Sequence, residues 1–189
     1  MNDHKVMISN ESIVNNDMVT HQTKRYDKLA KKEIKGEVCF VCGKEVSSFC
    51  NSHTIPAFML RYISSNGHLK SFGDLVPNPL DKGIKGVKQS GTFQLICRDC
   101  DSKLFKNYEN ENNYRNINAI KELLGEIALK ITLKTIFKRV YEKRMYELIL
   151  KDISNSPYDD FLKEMIHGKS LDLKQLKNCL LYTSPSPRD

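Results

Sequence analysis

Apolar residues recur at helical spacing through the second half of the chain, at Ile117, Ile120, Leu123, Leu124, Ile127, Ile131, Ile136 and Val140, with only Gly125 intervening. That period predicts one long helix, or two, over 117–153. Pro157 separates it from an amphipathic segment over 158–167, and Ser170 is placed to cap a further helix over 170–176. The first half is patterned on a shorter scale. Residues 37–40 and 46–49 read as two short strands around the turn Cys42-Gly43-Lys44, and 92–96 as another β-prone run. Pro56 suits the first turn of a helix whose stripe is Phe58, Met59, Tyr62 and Ile63; a second helix over 101–109 carries Leu104, Phe105 and Tyr108, and 110–113 breaks it. Between them, 64–91 holds Gly67, Gly73, Gly83, Gly86, Gly91, Pro77 and Pro79, the composition of a long loop with one hairpin. Residues 1–23 show no sustained apolar period and read as a disordered or loosely attached arm; 24–35 is a basic run of one or two helical turns ended by Gly36. No internal repeat is present.

These elements divide the chain into a polar and basic arm (1–35), a cysteine-rich domain (36–112), a helical extension (113–178) and a tail (179–189). The length of 189 residues suits one core with an extension. A formal charge of +7 and an isoelectric point near 9.0 favour an anionic partner, and Lys70, Lys82, Lys85 and Lys88 make 64–91 a candidate loop for a phosphate backbone. Charge alone equally admits a basic protein with no polyanion partner. Aromatic residues are 8% of the chain and tryptophan is absent, which argues against a stacking platform for single strands. No apolar run approaches the roughly 20 residues that span a bilayer. The N-terminus lacks the basic-then-apolar order of a signal peptide, so a cytoplasmic protein is expected.

Residues 179–189, Cys-Leu-Leu-Tyr-Thr-Ser-Pro-Ser-Pro-Arg-Asp, resemble the in-frame translation of a transposon-derived adapter used for sequencing libraries. The resemblance implies a natural chain interrupted near Asn178, and the tail is set apart from functional reasoning.

The remaining cysteines are two Cys-x-x-Cys pairs, Cys39 with Cys42 and Cys97 with Cys100, and the single Cys50. Each two-residue spacer lets one turn present both sulfurs to one ion, so the pairs predict a structural Zn²⁺ site with four thiolates. A redox role is the alternative, but the βαβ context such a pair normally occupies is missing. Cys50 is either a third member, paired with His53, or a small buried apolar residue. His53 is left free by the four thiolates. An imidazole titrates near neutrality and can take a proton from water, which makes it a candidate general base; a purely structural histidine is the alternative.

Cys39-x-x-Cys42, Ser52-His53-x-Ile55-Pro56 and Leu95-Ile96-Cys97-x-x-Cys100-Asp101 together resemble the zinc-stabilised branch of the HNH, or ββα-metal, endonucleases over 37 to about 110. The resemblance implies an α+β fold, a treble-clef-like zinc domain followed by a mainly α-helical region. It also implies hydrolysis of DNA phosphodiester bonds by a metal-dependent enzyme, with Mg²⁺ or another divalent cation stabilising the leaving oxygen. On this match His53 is the general base, Cys39, Cys42, Cys97 and Cys100 are the zinc ligands, and Asp101 is a catalytic residue able to hold the divalent ion. The slot before the base, an acid or histidine in the family, is Ser52; the middle asparagine falls near Thr92; and 64–91 is an insertion relative to the compact motif. Glu109, two turns beyond Asp101 on the expected helix, either completes the site or is a solvated charge. A non-catalytic zinc module binding DNA is the alternative from a different class, and the helical extension is a candidate surface for a protein partner or homodimer.

Overall fold

The computed structural model describes residues 16–70, 84–116, 120–153 and 155–183. The expectations for 1–15, for 71–83 with Lys82, and for the end of the tail lie outside them. The described elements are α1 (Asn16–Glu33), β1 (Ser52–His53), α2 (Ala57–Ile63), β2 (His68–Lys70), β3 (Ile84–Gly86), β4 (Thr92–Phe93), α3 (Arg98–Leu104), α4 (Ile120–Asp152) and α5 (Asp159–Thr183). Mixed helix and small sheet is therefore the observed class, with helix dominant. No helix among the described residues is long and apolar enough to cross a membrane.

The two small sheets are both antiparallel. β1 pairs with β4 in the register Ser52 to Phe93 and His53 to Thr92, and β2 pairs with β3. Backbone bonds from Cys50 N to Ile96 O (3.0 Å) and from Thr54 N to Gly91 O (3.0 Å) extend the first pairing at both ends. The excursion between β1 and β4 thus leaves and rejoins one ladder. Within it a tight turn at Asn66-Gly67, with φ of 52° and 73°, leads into β2. Two consecutive left-handed residues suit a two-residue turn whose twist matches its strands, and Asn-Gly tolerates that conformation best. The bonds Ser65 N to His68 O and His68 N to Ser65 O close the turn.

One buried cluster joins the two halves of the chain. Cys39, Phe93, Ile96, Phe105 and Tyr108 from the cysteine-rich half pack with Leu123 and Leu133 of α4. The long apolar stripe on α4 is only partly inward: Leu123, Leu133 and Ile136 are buried, whereas Ile120, Leu124 and Ile131 are exposed. Glu126, Lys130 and Lys134 share the inward side, so polar positions do part of the docking that the apolar period was expected to do. The stripe on α2 also shifts, with Leu60 buried and Tyr62 and Ile63 exposed.

Two expectations about the chain ends change. The basic run is part of an 18-residue helix rather than one or two turns. Ala30 is buried and Tyr141 Oη donates to Asp27 Oδ1 at 2.6 Å, Arg25 pairs with Asp152 at 3.3 Å, and Arg144 pairs with Glu33. Counter-charges on α4 therefore hold what composition alone reads as a solvated arm. The two short C-terminal helices are one element, α5, because Ser170 turns its Oγ back to Ile166 O (2.9 Å) instead of capping a new start. The start belongs to Asp159, whose carboxylate accepts from Asn155 N and Ser156 N. Those two bonds, the Asn155 one foremost, lower its pKa. α5 runs into the adapter-like residues, and Leu180 packs against the edge of the core.

Candidate metal centre and the strand beside it

Cys39 opens a tight turn. Gly43 N donates to Cys39 O at 2.9 Å and Cys39 N donates to Lys44 O at 2.9 Å. Gly43 sits at φ +68°, a conformation a Cβ would strain, and it turns Cys39 and Cys42 toward one point. The two strands expected around this turn reduce to a single bridge between Val38 and Glu45. Val46 N still bonds Glu37 O across the expected pair, but Phe40 N is drawn away to Leu95 O, so the ladder does not continue.

The second pair comes from the start of α3, where Cys97 is the N-cap and its sulfur accepts from Cys100 N at 3.4 Å. Cys97 N in turn donates to Cys39 Sγ at 3.2 Å, crossing from one turn to the other. All four sulfurs lie within 4.8 Å of one another, and Cys42 Sγ to Cys97 Sγ is 3.9 Å. A tetrahedron with zinc–sulfur bonds of about 2.3 Å has edges of about 3.8 Å. The cluster can hold a metal ion, and its thiol chemistry and dimensions are compatible with structural zinc.

The electrostatics divide the thiols. Burial pushes Cys39 up, but backbone N–H groups of Cys42, Cys97 and Val41, with the Cys42 side chain, outweigh it and hold Cys39 at about 6. Burial and the neighbouring sulfurs push Cys100 up. Four thiols around one point share too few donors to ionise together unless a cation neutralises them.

Cys50 stands outside this cluster. It is half-buried, its Sγ lies 3.7 Å from Asp101 Oδ2, and burial followed by the Asp101 charge raises its pKa. The reading of Cys50 as a small enclosed residue is the one this placement fits.

β1 splits its two residues between opposite faces, as consecutive strand residues must. Ser52 is fully buried and donates from Oγ to Asp101 Oδ1 at 2.5 Å. Lys130 Nζ of α4 reaches the same oxygen at 2.8 Å, is itself fully buried, and lies 3.7 Å from the centroid of the Phe105 ring. An ammonium out of water needs both a counter-charge and a polarisable face, and this one has the carboxylate and the ring.

His53 takes the other face. Its Nε2 is 3.1 Å from Val87 O, and a carbonyl only accepts, so Nε2 carries the proton in that bond and Nδ1 is the nitrogen left for other chemistry. Thr92 stands directly across the ladder, with its hydroxyl donated to Gln89 O at 3.2 Å. The end of the strand is pinned by Tyr108 Oη donating to Thr54 O and by Thr54 Oγ1 donating to Gly91 O at 2.6 Å. Burial, then the charges of Tyr114, Glu109 and Asp101, raise the Tyr108 pKa, which keeps that phenol a donor.

The structure thus brings His53 together with Thr92, and Asp101 together with Ser52, but it turns His53 away from Asp101. Glu109 lies beyond the end of α3, exposed, with Oε2 3.4 Å from Ala57 N. Composition and spacing missed Lys130, Glu126 and Lys134, spaced four apart on α4. Glu126 accepts from Asn107 Nδ2 (2.8 Å) and Tyr108 N (2.6 Å), and Lys134 Nζ donates to Thr92 O (3.2 Å). Three polar residues at i, i+4 and i+8, hence on one face of α4, were the available signal. No family model, no curated protein and no solved structure matches this chain.

Proposed function

We propose that this chain is a zinc-stabilised, HNH-type endonuclease that hydrolyses DNA phosphodiester bonds with His53 as general base. The observation that carries the reading is the fixed ring of His53. One nitrogen is spent on the Val87 carbonyl, and the ring stands on a strand continuous in hydrogen bonding with the four-cysteine cluster. Zn²⁺ held by Cys39, Cys42, Cys97 and Cys100 sets the position of that strand in a treble-clef-like frame and takes no part in the chemistry. His53 Nδ1 accepts a proton from water, the resulting hydroxide oxygen attacks phosphorus, and the phosphorus–oxygen bond to the leaving sugar breaks, the departing oxygen taking a proton from solvent water. The net charge of +7 favours a polyanionic substrate.

Asp101 does not fit the role of ligand to a catalytic divalent ion. Its Oδ1 already receives Ser52 and the Lys130 ammonium, and a second cation beside Lys130 would be repelled. Asp101 is instead a positioning residue that holds the base-bearing strand through Ser52. The same observation favours a second reading, a zinc module that binds DNA through its basic surface without cutting it.

Plasmid cleavage in Mg²⁺ or Mn²⁺, with zinc content measured alongside, separates the two. The expected outcome is nicking by the natural sequence and a fall of roughly 10²- to 10⁴-fold for His53→Ala with zinc retained. Binding with steep salt dependence and no cleavage by either protein leaves only the binding module.

A further inference from the structure

Between the last turn of α2 and the β2–β3 hairpin lies a groove of about 550 Å³. Arg61, Ser64, Lys88 and Gln89 supply its side chains, and Gly67 and Gly86 leave backbone open to whatever enters. Val87 forms part of the wall, and its carbonyl holds the His53 ring. Three other cations are matched, Arg25 by Asp152, Arg139 by Asp172 and Lys169 by Glu142. Arg61 and Lys88 have no carboxylate partner among the described residues.

We propose that this groove seats backbone phosphates of duplex DNA, Arg61 and Lys88 neutralising them beside the strand that carries His53. This inference rests on the DNA-acting reading and adds the place where the substrate is held. Ser64 Oγ is spent on Arg61 O (2.9 Å), so the donors left for phosphate oxygens are the two cations and the Gln89 amide, set along a mainly apolar lining. The groove is large enough to admit a sugar–phosphate unit. Because the groove is built by the excursion between β1 and β4, the apparent insertion becomes the part that grips the substrate.

The test is duplex binding by fluorescence anisotropy at several salt concentrations, comparing the natural chain, Arg61→Gln/Lys88→Gln, and Lys174→Gln/Lys177→Gln. The last removes the same charge from exposed positions of α5, which contributes nothing to the groove. Zinc content and circular dichroism are expected to be unchanged in both. The groove variant is expected to bind roughly tenfold or more weakly at low salt and to lower the slope of log K against log salt by about 1–2. The α5 variant is expected to keep the natural slope. A natural slope in the groove variant, or equal losses in both variants, overturns the groove while leaving DNA binding standing. No duplex binding by the natural chain overturns the DNA-acting reading as well. Adenosine monophosphate bound as tightly as duplex overturns the assignment to a nucleic-acid backbone.

Discussion

Cys97→Ser is expected to leave the protein with substoichiometric zinc and without a folded cysteine-rich half. Cys97 does three things at once: it belongs to the cluster that can hold a metal ion, its sulfur caps α3 through Cys100 N, and its own N–H reaches Cys39 Sγ. Structural zinc contributes on the order of 10–16 kcal/mol in small sites, comparable to the whole 5–15 kcal/mol stability of a domain. Little else could hold Cys39 and Ile96 in place, because the elements around them are a two-residue strand pair and a seven-residue helix. The loss should also reach α4, since Phe93, Ile96 and Phe105 share one cluster with Leu123 and Leu133. Metal analysis and near-ultraviolet circular dichroism check this, with Cys50→Ser as the control that keeps one zinc per chain. A Cys97→Ser protein with full zinc and an unchanged melting temperature would remove the metal centre from the account.

The difference between what patterning reveals and what it hides follows from range. Cys-x-x-Cys spacing is local, so the four cysteines of the cluster are legible before any fold is known, as is a helix after Pro56. Sequence alone offers Thr92 only through the resemblance, which sets the family's middle asparagine near it; its place opposite His53 is legible only in the folded ladder. The partners of Asp101 are not. Ser52 lies 49 residues away and Lys130 29 residues away, and nothing in a periodicity count marks a lysine as inward. The apolar period of α4 misleads for the same reason: its inward side is shared by leucines and by Glu126, Lys130 and Lys134, so counting apolar positions merges two faces. Charge hides the role of α1, which meets α4 through Arg25 with Asp152, Asp27 with the Tyr141 phenol and Glu33 with Arg144 only once the chain has folded.

Lys130→Met tests the deepest of these unforeseen contacts. Methionine keeps the length and the apolar stem over Phe105 but removes the ammonium, leaving the Asp101 carboxylate with Ser52 Oγ and the Cys50 thiol as its side-chain partners. Breaking one side of a buried pair costs about 3–5 kcal/mol, which corresponds to a fall in melting temperature of roughly 6–20 °C for a chain of this size. The ion pair is sealed from solvent on the lysine side, so the loss should change little between low and high salt, unlike that of a surface pair. Asp101→Asn should be destabilising for the opposite reason, since it strands the ammonium. In the double variant Lys130→Met/Asp101→Asn neither charge is left buried, and it should recover part of the loss. A urea-denaturation cycle over the four proteins measures that coupling. Zinc should be retained throughout, because Lys130 touches no thiol of the cluster. If Lys130→Met melts with the natural protein, the pair contributes nothing to holding α4 on the strand, and Asp101 becomes available again as a ligand for a catalytic ion.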